Sequence, residues 1–233
     1  MKNSFKIMFK EYIKLKPIEI QQSISEFPAA YIPIGALEWH SYHLPLGFDG
    51  LKAEFLLRKV CEKINKGILF PTLYFGAYDT MNFPWTFHFS KQCLRKQIKA
   101  FVKQLYKIGF KVIVLLTGHY PLSHVKHLKN IAKRFMKKHK DSYIIAIPEQ
   151  YLLHDLNYFG DHAAHWETNL GLALMPELVD LNQLPLLPNY ITRLESYGIM
   201  GNDPKVHSNE EDGKKMVSLF VERMVEIIEK CWI

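Results

Sequence analysis

Lys111-Val112-Ile113-Val114-Leu115-Leu116, closed by Thr117-Gly118, is the stretch on which the fold turns. It is apolar, rich in β-branched residues and too short for a helix, so it reads as a buried strand. The flanking segments alternate with it. Upstream, Ser90 is placed to cap a helix carrying Leu94, Ile98, Phe101 and Leu105 on one face, and Gly109 stops it. Downstream, a basic amphipathic helix from Leu122 to His139 turns Val125, Leu128, Ala132 and Phe135 inward. Tyr143 to Ile147 is the next strand, ended by Pro148.

The same rhythm extends to both ends of the chain. Ala29 to Gly35 reads as a strand, Leu51 to Lys66 as a helix with Phe55, Leu56, Val60 and Ile64 inward, and Ile68 to Tyr74 as a strand. Trp166 to Leu178 is a helix, and Ser208 opens the last one with Glu211 three residues on, a capping box. Strands alternating with helices predict an α/β fold: a mainly parallel sheet with helices on both faces. No repeat, low-complexity tract or Gly/Ser linker interrupts the 233 residues, so one domain over 1–233 is expected.

Composition narrows the function classes. A 48% hydrophobic share with 23% charged residues excludes a disordered chain. No apolar run approaches the roughly 18 residues of a membrane helix. Met1 to Lys6 leads into no apolar leader core, which predicts a cytoplasmic protein. Cys61, Cys93 and Cys231 are odd in number and widely spaced, against a disulfide framework or a cysteine zinc site. The formal charge is +7, and Lys91 to Lys140 holds fourteen Lys/Arg with no Asp or Glu. These lysines read as the solvated faces of two helices. No recognition motif accompanies them, so nucleic acid is not expected as a partner.

Three polar clusters fall at strand ends or a helix start, where α/β sheets collect reactive groups. Glu38-Trp39-His40 follows the first strand, with Asp49 shortly after. Glu38 and His40 are two apart, so an extended segment points both to one side. Gly118-His119-Tyr120 follows the strongest strand, and Asp161 to Thr168 opens a helix with His162, His165 and Glu167. Imidazoles and carboxylates without cysteine suit a hydrolytic site on zinc, manganese or iron. No GxGxxG after a strand, GxxxxGK[ST], HExxH or GxSxG is present, which removes dinucleotide, P-loop, zincin and serine-hydrolase chemistry as first choices.

These residues resemble the creatininase family. Gly35-Ala36-Leu37-Glu38-Trp39-His40-Ser41-Tyr42-His43-Leu44-Pro45-Leu46-Gly47-Phe48-Asp49 matches its first signature and Gly118-His119 its second. His162-Ala163-Ala164-His165-Trp166-Glu167-Thr168-Asn169, followed by Met175-Pro176-Glu177-Leu178-Val179, is similar to its third. The resemblance runs from about residue 25 to 225 and implies two divalent metal ions, zinc, manganese or iron. By resemblance Asp49 would bridge them, with Glu38 and His119 completing one and His40 and Glu167 the other. A metal-bridging hydroxide would attack the carbonyl, and His162 would be the acid/base group for the leaving nitrogen. Asp161 stands either to orient that imidazole or to cap the helix. Pro121 stands where creatininase itself has a carboxylate, so Glu167 is the expected last ligand. Ala164, Asn169 and Trp85 replace smaller residues of the pattern, and Tyr120, Thr86 and Trp166 are expected to contact substrate, with Trp39, Tyr42 and Trp85 as further aromatic candidates.

The expected activity is metal-dependent hydrolysis of a C–N bond in a small linear or cyclic amide by a homo-oligomer. The rivals are a deformylase or peptidase-like maturation enzyme of the same family, and a non-catalytic scaffold using the basic 91–140 face.

Overall fold

The computed structural model describes residues 10–76, 82–187 and 189–231; the leader reading of Met1 to Lys6 lies outside them. In order, the elements are β1 (Lys10–Glu11), α1 (Pro17–Glu26), β2 (Ala29–Ile34), α2 (Phe48–Ile64), β3 (Ile68–Leu69), α3 (Lys91–Ile108) and β4 (Val112–Thr117). There follow α4 (Leu122–Lys138), β5 (Tyr143–Pro148), α5 (His165–Leu174), α6 (Tyr190–Tyr197), α7 (Pro204–His207) and α8 (Glu210–Lys230). The five strands form one all-parallel sheet in the order β1-β3-β2-β4-β5. The sheet is an α/β structure, as expected.

Alternation along the central strands sorts the core into two layers. Ala29, Tyr31, Val112, Val114 and Leu116 face α2 and α8, packing on Leu56, Leu57, Val60, Phe220 and Met224. Ala30, Ile32, Ile34, Ile113 and Leu115 face the opposite way, onto Leu94, Ile98 and Val102 of α3 and Leu128, Ile131 and Ala132 of α4. Both strand faces are therefore buried, which is why their sequence is apolar without alternation. After β2 the chain moves outward to β3, and after β4 outward the other way to β5. That reversal opens a crevice beyond the carboxyl ends of β2 and β4.

Close backbone approach shapes the crevice. A Cβ on Gly35 would lie 2.2 Å from Gly50 N, and one on Gly118 would lie 2.0 Å from Asp49 O. Glycine at both strand ends thus lets the first turn of α2 sit directly against them.

Several boundaries differ from the sequence expectation. The ladder expected over Ile68 to Tyr74 holds only Ile68–Leu69, because Pro71 brings no N–H; a lone bridge resumes at Leu73 with Ile34. Helix α2 starts at Phe48 rather than Leu51, which places Asp49 inside its first turn, and it ends at left-handed Asn65. Helix α5 stops at Leu174, two residues before Pro176. The last helix is capped by Asn209, which accepts from Asp212 N at 2.8 Å, while Ser208 bonds the His165 carbonyl. Ser90 caps α3 as expected, accepting from Cys93 N at 3.2 Å.

Candidate active site

The crevice gathers Glu38 and His40 from the loop after β2, Asp49 from α2, His119 from the end of β4 and Glu167 from the first turn of α5. All five are at most 4% exposed. Asp49 stands between the imidazoles. Its Oδ1 is 3.2 Å from His40 Nε2, and its Oδ2 is 3.0 Å from His119 Nδ1. Glu38 Oε2 closes one side at 3.1 Å from His119 Nδ1, and Glu167 Oε2 the other at 3.6 Å from His40 Nε2. Three three-residue groups result, with the donor atoms of each within 4.8 Å of one another: Glu38/Asp49/His119 and His40/Asp49/Glu167, which share Asp49, and Glu38/His40/His162 beside them.

This donor set calls for cations. His40 Nδ1 donates to the Glu38 carbonyl at 3.0 Å, so its Nε2 is left facing two carboxylates. A neutral ring there would set a lone pair against two anions. Burial opposes the imidazolium of His40, but Asp49 and Glu167 outweigh it and raise the group to about 9. His119 behaves alike, raised to about 10 by Asp49 and Glu38 against burial, and its buried Nε2 has no hydrogen-bond partner. Separations of 3.0–3.6 Å are also the edges expected between donors sharing an ion at roughly 2.0–2.2 Å. The residues fit divalent metal ions.

His162 lies beside this cluster. Its Nε2 donates to the Trp39 carbonyl at 3.0 Å, leaving Nδ1 as the nitrogen free to carry a proton. The ring stacks on Phe83 at 5.1 Å and tilts over His40 at 4.4 Å between centroids. Burial, helped by His40, lowers its pKa. Ser41 and Ala163, next to His40 and His162, hold φ of +60° and +50°. Non-glycine residues in that region cost about 1–3 kcal/mol each, a strain that the surrounding contacts sustain.

The structure divides the two readings of Asp161. Its carboxylate accepts from Trp166 N at 2.9 Å and Glu167 N at 3.2 Å, so it caps α5, while the Trp39 carbonyl takes the orienting role toward His162. Burial and the charge of Glu167 push Asp161 up to about 8. A cavity of about 410 Å³ opens over the cluster, walled by Phe83, Leu122, Phe159 and Met200. Tyr120 lines it, with its Oη 2.8 Å from Glu167 Oε1. Thr86 and Trp166 do not. Thr86 Oγ1 is taken by Trp39 N and the Pro84 carbonyl, and the Trp166 ring packs against the core beside Tyr158. Nor do Trp39, Tyr42 and Trp85 line it; Trp39 is buried, and the other two are half or more exposed.

Residues 14–228 match the family model described as creatininase, creatinine amidohydrolase. The chain belongs to the creatininase family. It is 26% identical over 178 residues to a creatinine amidohydrolase of Pseudomonas putida, a match spanning 66% of each protein. Among solved structures it is similar to a creatinine amidohydrolase (creatininase), TM-score 0.81 at 20% identity, covering 94% of this chain and 96% of the other. A structure described as creatininase Mn gives TM-score 0.79 at 22% identity, with coverage of 94% and 97%.

Four polar residues of this site carry no role in the sequence reading, although His43 stands within the first signature. His43 Nε2 donates to Thr168 Oγ1 at 2.9 Å, tying the first loop to α5; burial and His40 lower it to about 3, so it stays neutral. His124 is fully buried and bonds Thr117 Oγ1 at 3.0 Å, which in turn donates to the His119 carbonyl. Gln150 reaches the cavity wall, where its buried Oε1 lacks a partner. Lys52 is fully buried beneath Glu167. Its signal was present: three residues after Asp49 on an amphipathic helix, it falls on the inward face with Ala53, Leu56 and Leu57.

Proposed function

We propose that this chain is a metal-dependent amidohydrolase that cleaves a C–N bond in a small linear or cyclic amide, with two divalent ions per chain. Glu38, Asp49 and His119 would hold one ion and His40, Asp49 and Glu167 the other. The observation that carries this reading is the division of Asp49, whose two oxygens face different imidazoles. When bound, such ions polarise a carbonyl and bring the ionisation of water near neutral pH.

The chain's own groups supply the rest. Asp49 takes the shared position because Gly35 and Gly118 let its backbone lie against both strand ends. His162, tethered through Nε2 to the Trp39 carbonyl, has Nδ1 available to take a proton from the attacking water and return it to the departing nitrogen. Phe83, Phe159, Leu122 and Met200 give the cavity an apolar rim. Gln150 contributes a polar side chain to the cavity wall. A cavity of about 410 Å³ suits a small molecule rather than a folded partner.

Metal analysis of protein purified without chelators, followed by a screen of linear, cyclic and formyl amides, tests the proposal. About two divalent ions per chain and metal-dependent release of amine or ammonia are expected. Protein without metal-dependent turnover on any amide would overturn it.

A further inference from the structure

Lys52 is the one fully buried lysine among the described residues, and it touches the candidate metal cluster from below. Its Nζ lies 2.6 Å from Glu167 Oε1 and 2.8 Å from Glu149 Oε1, over the Tyr120 ring at 4.7 Å. A lysine so buried normally sheds its proton. Here two carboxylates, Glu149 and Glu167, lie within ion-pair distance of it. Glu149 is anchored in turn: its Oε1 also accepts from Tyr158 Oη at 3.2 Å.

The contacts of Glu167 divide between its two oxygens. Oε1 receives Lys52 Nζ and lies 2.8 Å from Tyr120 Oη. Oε2 accepts from Ala163 N at 2.8 Å and faces His40 Nε2 at 3.6 Å. A carboxylate with two free oxygens can swing between one-oxygen and two-oxygen binding of a cation. Glu167 cannot, because Lys52 and Tyr120 occupy Oε1. Asp49, Glu38 and His119 make no such contact with the ammonium.

We infer that Lys52, anchored by Glu149, is a positioning residue that restricts Glu167 to offering Oε2 and so sets metal affinity on the His40 side of the site. The inference rests on the two-metal reading above and adds a residue that the family motifs do not contain. A buried lysine–glutamate pair is a costly core device, often replaceable by neutral side chains without loss of stability. A role in stability alone therefore makes a different prediction from a role in positioning.

Cobalt titration separates the two. The double variant Lys52→Met/Glu149→Gln removes both charges together, so Glu149 is not left as an unpaired buried anion, while Glu167 keeps Tyr120 and His40 beside it. Folded protein is confirmed by its thermal transition, then Co(II) is added with a competing chelator while the visible absorption is followed. One cobalt equivalent should bind about 10–100-fold more weakly than in the wild type, the range for loss of a supporting contact. Its visible band should also change, as Glu167, then held at Oε1 by Tyr120 alone, is freer to shift its coordination. The other equivalent should bind as before. If both equivalents bind with wild-type affinity and spectrum, Lys52 is merely structural and the inference fails. Should the double variant not fold, Glu149→Gln alone loosens the anchor; a weaker cobalt site then supports the inference and an unchanged one overturns it. Absence of cobalt binding by the wild type would instead sink the two-metal reading, and this inference with it.

Discussion

Two regions of the molecule handle charge in opposite ways. The α3/α4 layer carries most of the fourteen cations between Lys91 and Lys140, with no carboxylate among them, yet its helices bury only apolar side chains and His124 against the sheet. The crevice beyond β2 and β4 buries one lysine, two clustered imidazoles and three clustered carboxylates, with Glu149 beneath. Removing the fourteen from the formal +7 leaves the rest of the chain at −7. What separates the regions is desolvation rather than number. An exposed ion pair is worth about 0–1 kcal/mol, whereas taking one partner from a buried pair costs about 3–5 kcal/mol. A single buried carboxylate should therefore matter more than many surface lysines.

The hardest test of that contrast is Asp49→Ala. One carboxylate serves both donor groups, so the variant should drop from about two divalent ions per chain to near none and lose turnover with them. Elemental analysis after desalting reads this directly. Full metal content in the variant would show that the cluster is held by other means. The variant also leaves His40 and His119 with fewer anions, so their raised pKa values should fall, measurable by NMR titration of the metal-free protein.

His162→Ala should give the next largest effect. The side chain bonds a backbone carbonyl rather than a carboxylate, so metal content and thermal stability should stay near those of the parent. Turnover should fall ~10²–10⁴-fold, the usual contribution of a positioned acid/base group. The loss should shrink for substrates whose leaving group needs no proton. Loss of metal would instead make His162 a ligand; its donor does lie within 4.8 Å of one on Glu38 and one on His40.

Periodicity explains how much of this was legible. Six-residue apolar runs and helices with one apolar face made the α/β sheet and its crevice readable before any coordinates. Position at strand ends and a helix start picked out the three polar clusters, and the resemblance to the creatininase family selected Glu38, His40, Asp49, His119 and Glu167 within them. Direction was not readable. Asp161 had two equal uses in sequence, and only the approach of Trp166 N and Glu167 N assigns it to the helix end. Trp166 and Thr86 lie near the motifs in the chain, but the turn of α5 sends one ring to the core and Trp39 N claims the other's hydroxyl. Lys52 was not legible as a buried residue, because a lysine on an amphipathic helix ordinarily keeps its ammonium in solvent.

On the basic layer, effects should be small. If its lysines are only solvated, duplex nucleic acid should bind weakly at low salt and dissociate by physiological ionic strength, since such binding is counterion release alone. A salt-resistant, sequence-selective complex, seen by gel shift at 0.15 M salt or above, would erase the contrast and revive a binding role for this face.

The smallest effect belongs to Asp141, the first carboxylate after the lysine-rich segment. It accepts from Lys111 Nζ at 2.6 Å and Tyr106 Oη at 2.8 Å, yet it is exposed. Those two donors lower it to about 2. A carboxylate lowered on folding contributes stability above its unfolded pKa of roughly 3.9. That contribution is lost as pH falls through about 2. Asp141→Asn should accordingly lower Tm slightly at pH 7 in low salt, and the gap from the parent should close as pH falls below about 3. Added salt at pH 7 should narrow the same gap, because water and ions reach this pair freely. A Tm loss that persisted at high salt, or at pH 2, would mean the side chain acts through packing or geometry rather than charge. The line between the two regions would then fall at contact quality, not at burial.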